Sequence, residues 1–202
     1  MRYALATANP GKIKEMQMLL YVLGIEIATR EELDISIEID ETGSTFFENA
    51  RLKAEAICKL SGLPSIADDS GLLVDALGDK PGVYSSSFGG NDLTAAERCD
   101  YLLTEMQDIH EMEQRRAKFV CTIVCVFPDG ELLTAGGECP GFITKTSCGL
   151  NGFGYDPVFL PDGMDKTMAE LTPDEKNKIS HRGKALRSFS GLLKIRKAGM
   201  GI

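Results

Sequence analysis

Three threonine capping boxes punctuate this chain and narrow the folds open to it. Thr45-Phe46-Phe47-Glu48 and Thr94-Ala95-Ala96-Glu97 each pair a hydroxyl that accepts from the third helical N–H with a glutamate that reaches back to the cap. Thr172-Pro173-Asp174-Glu175 adds a proline at the first helical position, where its missing N–H would have had no partner anyway. Runs of β character lie between these helix starts. Tyr3–Ala8 is a short apolar run read as a first strand. It breaks at Asn9-Pro10-Gly11-Lys12, and Ile13, Met16, Leu20 and Leu23 then recur at helical spacing. The first capping box opens a helix with Phe47, Ala50, Ala54 and Ile57 inward. Leu63–Ala67 reads as a strand ending in Asp68-Asp69-Ser70-Gly71. The second box opens a helix to about Met106. Lys118–Phe127 is β-rich, turns at Pro128-Asp129-Gly130 and returns near Glu131–Glu138 as a hairpin. A last helix runs from about His181, with Leu186, Phe189 and Leu193 inward. Strand–helix alternation first and a hairpin in the middle predict α/β with a mixed sheet, not a purely parallel one.

Composition narrows the function. Twenty-two Lys+Arg against 30 Asp+Glu give a net charge of −8, which excludes general binding of polymeric nucleic acid. No apolar run approaches the roughly 20 residues that span a bilayer, and the opening residues do not read as a signal peptide, so a cytoplasmic protein is expected. The 202 residues suit one domain or two lobes sharing a core. Six cysteines, at 58, 99, 121, 125, 139 and 148, form no C-x-x-C. They are expected to be reduced and buried, with Cys121 and Cys125 on one face of a strand. His110 is read as a surface residue.

Four segments could carry chemistry, and each has a plainer reading. Thr7-Ala8-Asn9-Pro10-Gly11-Lys12 joins a strand to a helix start, where free N–H groups and the dipole favour an anion. It lacks the Walker spacing, and Asn9 could simply cap the helix. Asp68-Asp69 puts two carboxylates on successive strand positions, facing opposite ways. One or two carboxylates suit Mg²⁺ in phosphate enzymes, yet an Asp-rich turn is common. Asp40-Glu41 stands before a helix, where acids usually serve the dipole, and Lys53 on that helix is by default solvated. Asn151-Gly152-Phe153-Gly154-Tyr155-Asp156-Pro157 offers aromatic faces and close backbone approach for a base, or merely a structural turn. Lys176 and Arg182 add donors suited to a purine carbonyl oxygen, and His181 could stack or hydrogen-bond.

Five blocks, in order, resemble one family. They are Thr7-x-Asn9-x-x-Lys12, Ala67-Asp68-Asp69-Ser70-Gly71, Pro81-Gly82-Val83-Tyr84-Ser85, Phe153-Gly154-Tyr155-Asp156-Pro157 and Ile179-Ser180-His181-Arg182. Together they are similar to the Ham1-like inosine/xanthosine triphosphate pyrophosphatases, and they span nearly the whole chain. The resemblance implies Mg²⁺-dependent hydrolysis of ITP, dITP and XTP to monophosphate and pyrophosphate, removing deaminated purines from the nucleotide pool. It implies a homodimer, and a single domain over 1–202 with a long mixed sheet, two lobes and a central active-site cleft. It assigns the triphosphate to Thr7, Ala8, Asn9, Pro10, Gly11 and Lys12, helped by Lys53. Asp69 would be the general base and a metal ligand, with Glu41 the second ligand and Asp40 its competitor. Ser70 would touch substrate. Phe153, Gly154, Tyr155 and Asp156 would bind the base, with Lys176, His181 and Arg182 contacting it. Many members have Gly-Gly where this chain has Asn151-Gly152. The rivals are a Maf-like pyrophosphatase of other base preference, a nucleotide sensor without hydrolysis, and a purely structural protein.

Overall fold

The computed structural model describes residues 2–199. β1 (Arg2–Leu5), α1 (Pro10–Val22), β2 (Glu26–Ala28), α2 (Phe46–Ser61) and β3 (Ser65–Val74) open the chain. β4 (Lys80–Pro81), α3 (Ala95–Glu105), β5 (Arg116–Val126) and β6 (Leu132–Ile143) follow, and β7 (Phe159–Pro161), α4 (Pro173–Ile179) and α5 (His181–Gly199) complete it. The strands pair in the order β2-β1-β3-β5-β6-β7, with β4 also on β3. β1 is parallel to β2 and β3, while β4 is antiparallel to β3 and β7 to β6. This is the expected α/β class with a mixed sheet. All three threonine boxes close as capping boxes.

Two compact units divide the chain. The first comprises the described parts of Met1–Asp69, Cys121–Gly137 and His181–Ile202; the second comprises Ser70–Val120 and Glu138–Ser180. In the first, β1 alternates strictly. Tyr3 and Leu5 pack with Met16, Leu19 and Leu20 of α1 and Leu186, Phe189 and Leu193 of α5. Ala4 and Ala6 pack instead with Ala50, Ala54 and Ile57 of α2. β5 repeats the pattern: Cys121, Ile123 and Cys125 join the α1/α5 layer, and Val124 and Val126 the α2 layer. Strands covered on both faces read as continuous apolar runs, which is how these two appear in the sequence. β3 obeys the same rule, with Ile66 in the α1/α5 layer and Ala67 in the α2 layer.

The second unit has its own core, built around Leu72, Val74, Leu102, Met106, Phe119, Ile143, Val158, Phe159 and Met168. Arg115 is buried within it. Its guanidinium donates to the carbonyl oxygens of Met106, Ile109, Ile143 and Thr144, tying the end of α3 to the end of β6.

Four sequence expectations change. β3 does not end at Ala67 but continues through Asp68-Asp69-Ser70-Gly71, because both carboxylates find cations and need no turn to reach water. β6 extends to Ile143, five residues beyond the predicted Glu138, disguised by Pro140 and its glycines. Phe47 stands exposed at the first turn of α2 rather than inward. Cys148 is exposed, whereas the other five cysteines are buried as expected.

Gly137 of β6 seats α5. A Cβ there would lie 2.3 Å from the His181 carbonyl oxygen and 2.5 Å from the Ala185 nitrogen. At Gly136 the nearest atom, the Cys121 carbonyl oxygen, would be 3.8 Å away. Gly137→Ala therefore costs about 1–3 kcal/mol of stability by overpacking against backbone, and Gly136→Ala costs little. Thermal unfolding of the two variants checks this; equal melting temperatures would mean that α5 does not need the gap.

Candidate active site

Alternation along β3 decides where its two aspartates go. Asp68, two residues after Ile66, turns to the α1/α5 face and is 0% exposed. Its Oδ2 lies 3.0 and 3.2 Å from Nη2 and Nε of Arg182, and 3.2 Å from Nζ of Lys12. Arg182 also donates through Nη1 to Glu15 on α1. Burial opposes ionisation of Asp68, but Lys12, Arg182 and Lys53 outweigh it and hold the carboxyl well below its usual range. Burial likewise works against the Arg182 charge, and Asp68 and Glu15 more than restore it.

Asp69 turns to the α2 face. Its Oδ1 accepts from Lys53 Nζ at 2.7 Å, and the same ammonium donates to Glu41 Oε2 at 3.0 Å. Lys53 is not the solvated lysine its sequence position suggested; it is 7% exposed, between Ala50 and Ala54 on the inward side of α2. Burial pushes Asp69 up to about 6, ahead of the opposing pull of Lys53 and Lys12. It is thus ionised at neutral pH yet more basic than an ordinary aspartate, which suits a proton acceptor. Glu41 rather than Asp40 shares Lys53, which favours Glu41 as the second carboxylate.

The turn before α1 is built as its sequence suggests. Asn9 caps the helix, accepting from the Lys12 N–H at 3.1 Å, and donates its own N–H to Thr7 Oγ1 at 3.2 Å. Pro10 and Gly11 form the first turn, and Ala8 to Pro10 are exposed. Lys12 bends to Asp68, so the cap and β3 are joined by an ion pair. His181 is buried at the head of α5, beside Arg182. Glu41 and Asp69 suit a hard divalent cation that keeps waters and takes the rest of its shell from phosphate. Among the described residues no three His, Cys, Asp or Glu side chains gather into an all-protein cage.

A second group lies within the second unit. The Asp156 carboxylate accepts from the Phe153 N–H at 2.8 Å and from the buried Lys176 ammonium. That ammonium also sits 4.9 Å from the centre of the Phe153 ring. Asp156 therefore shapes the loop, whereas the resemblance assigned it to binding the base. Gly152 makes this possible: at φ +75°, its Cβ would fall 2.0 Å from Asp156 Oδ2. Tyr155 offers no flat face either. Its ring is buried, and its hydroxyl donates to the Ser85 carbonyl oxygen at 2.9 Å. Ser85 Oγ in turn accepts from the Leu72 N–H and donates to the Gly82 carbonyl oxygen, which gives the Pro81–Ser85 block a structural task. Cys99 Sγ donates to the Gly154 carbonyl oxygen at 3.3 Å. Ser70 follows Asp69 on β3 and is half-buried.

The structure thus brings Thr7–Lys12, Glu41, Lys53, Asp69, His181 and Arg182 into the first unit, and Phe153–Asp156 with Lys176 into the second. Lys176 was grouped with Arg182 in the sequence; its direct partners are Asp156 and Phe153. Glu15 and Cys99 were missed. Glu15 left one trace, its place three residues after Lys12 on the same helix face.

A family model described as the Ham1 family matches residues 3–192. The chain belongs to the Ham1 family. A dITP/XTP pyrophosphatase of Bacillus subtilis is 47% identical over 189 residues, covering 94% of this chain and 95% of that protein. One from Aquifex aeolicus is 46% identical over 200 residues, covering 96% and 97%. A solved HAM1 protein from Coxiella burnetii matches with a TM-score of 0.85 at 42% identity, over 96% of this chain and 98% of that one. The Staphylococcus aureus Ham1 protein also matches at 0.85, with 38% identity over 98% and 100%.

In this Ham1 chain, Asp68 is the counter-charge for the buried Arg182 and the half-buried Lys12. Asp68→Asn should lower the unfolding free energy by about 3–5 kcal/mol, the usual cost of stranding a buried charge. Urea unfolding measures it; a loss below about 1 kcal/mol would place the stability of this layer elsewhere.

Proposed function

We propose that this chain hydrolyses ITP, dITP and XTP to the nucleoside monophosphate and pyrophosphate with Mg²⁺, clearing deaminated purines from the nucleotide pool. The carrying observation is the split at β3, where adjacent aspartates take different tasks. Asp68 is spent on Lys12 and Arg182, while Asp69 keeps a raised pKa beside Lys53 and Glu41. The names of the Bacillus and Aquifex relatives support the substrate class.

The reaction is attack of water on the α-phosphorus, with pyrophosphate leaving. Asp69 takes the proton from the attacking water. The Gly11 N–H and the Lys12 ammonium donate to phosphate oxygens, helped by Thr7 and by Lys53. Glu41 and Asp69 hold Mg²⁺, which when bound neutralises phosphate oxygens and acidifies water. Ser70 contacts the substrate. Phe153 stacks on the base, and Lys176, already positioned over that ring, donates to the 6-oxo group; the Arg182 guanidinium is instead engaged by Asp68 and Glu15. Adenine carries an amine there, so ATP would set donor against donor. A site that hydrogen-bonds one group rejects such an analogue by up to about 10⁴-fold.

Residues 1–202 work as one catalytic domain in this reading, and the enzyme acts as a homodimer in the cytoplasm. No helix among the described residues is long and apolar enough to cross a membrane.

A panel of nucleoside triphosphates with Mg²⁺, scored for pyrophosphate against orthophosphate, tests the proposal. ITP and XTP should release pyrophosphate; orthophosphate, or no product, would overturn it. Asp69→Asn should cut kcat for ITP by about 10²–10⁴-fold while ITP binding persists. Turnover near that of the unaltered protein would remove Asp69 as base. Lys176→Met should shrink the ITP-over-ATP ratio of kcat/KM by about ten-fold or more; an unchanged ratio would move base reading to other residues.

A further inference from the structure

Lys53 holds a position that the hydrolytic reading does not explain by itself. Its ammonium bridges Asp69 and Glu41 at 2.7 and 3.0 Å, and it is buried. It projects from the inward side of α2, a helix fixed by its capping box and by Ala50, Ala54 and Ile57 in the core. Glu41 comes from an irregular stretch and is half-exposed. That stretch is tied to α2 nearby, where the Gly43 N–H donates to Asn49 Oδ1 at 2.8 Å. Two carboxylates brought together repel each other, and the lysine charge offsets that repulsion.

We propose that Lys53 makes divalent-cation binding conditional on the nucleotide, its ammonium holding the Glu41–Asp69 pair until phosphate oxygens take it over. This rests on the reading of Glu41 and Asp69 as metal ligands. A divalent cation must compete with the ammonium for the same oxygens and bears its repulsion at close range. A cation arriving alone would also strand a buried ammonium without acceptors, which is costly. A triphosphate removes both penalties, because its oxygens accept from the displaced Nζ while completing the cation's shell. Metal and nucleotide are then positively coupled, each tightening the other by the same factor.

Mn²⁺ titrations followed by electron paramagnetic resonance test this, with and without α,β-methylene-ITP, whose bridging bond is not hydrolysed. Lys53→Met keeps the buried stem and removes the charge. It should bind Mn²⁺ without nucleotide about ten-fold tighter or more than the unaltered protein. Lys53→Arg, which keeps the charge, should stay near the unaltered protein. The analogue should tighten Mn²⁺ binding more in the unaltered protein than in Lys53→Met. Equal or weaker Mn²⁺ binding by Lys53→Met, or equal coupling in both, overturns the proposal while leaving the metal ligands standing. Failure of the unaltered protein to bind Mn²⁺ even with the analogue would instead overturn the ligand reading, and this proposal with it. A measurement without substitution serves alongside. The ¹⁵Nζ resonance of Lys53 should shift with Mg²⁺ and analogue together and hold with Mg²⁺ alone; a full shift with Mg²⁺ alone contradicts the exchange.

Discussion

A carboxylate with no exposure survives inside a protein only if cations meet it there, and Asp68 is met by two. That requirement organises the first unit. Lys12 must reach Asp68 from the start of α1, and Arg182 from the start of α5, so both helix heads are drawn to the same point on β3. Glu15 closes the group by pairing with Arg182. Once Asp68 is committed to that face, the period of two along the strand leaves Asp69 no choice but the other. There it meets a lysine shared with a second carboxylate, under burial that raises its basicity. Two chemically identical side chains thus acquire different properties from strand geometry and their neighbours.

Much of this was legible before any coordinates. The capping boxes marked α2, α3 and α4, and the cap at Asn9 marked α1, because side-chain-to-backbone bonds are local and leave a short signature. β1, β5 and the start of β3 announced themselves as apolar runs, since both of their faces are covered, whereas the three-residue β2 gave no such run. Opposite-facing aspartates followed from strand geometry alone. What stayed hidden depended on distant partners. Nothing near Lys53 in sequence says that it is buried, because its acceptors come from the preceding loop and from β3. Glu15 left only its spacing from Lys12, because its partner Arg182 lies 167 residues away. The length of β3 and β6 was masked by Asp-Asp and Pro-Gly, residues that signal turns unless ions or a neighbouring strand occupy them.

The loop at Gly152–Asp156 shows the same dependence in the second unit. Sequence suggested two aromatic faces and an acid aimed at a base. Folding spends Tyr155 on the Ser85 carbonyl, and Asp156 on the Phe153 N–H and Lys176. Phe153 and Lys176 are left as a ring with a cation already over it, a unit whose arrangement is set before any ligand arrives. The hydrogen bond from Cys99 gives the loop a further anchor on α3.

The division of labour between neighbouring aspartates is the claim on which the account stands. Anomalous scattering from crystals grown with Mn²⁺ and an uncleaved ITP analogue tests it most directly. The account predicts a metal peak in direct contact with Asp69, on the α2 face of β3, with Asp68 still bound to Lys12 and Arg182. A peak on Asp68, or Asp68 released from both cations, would contradict it.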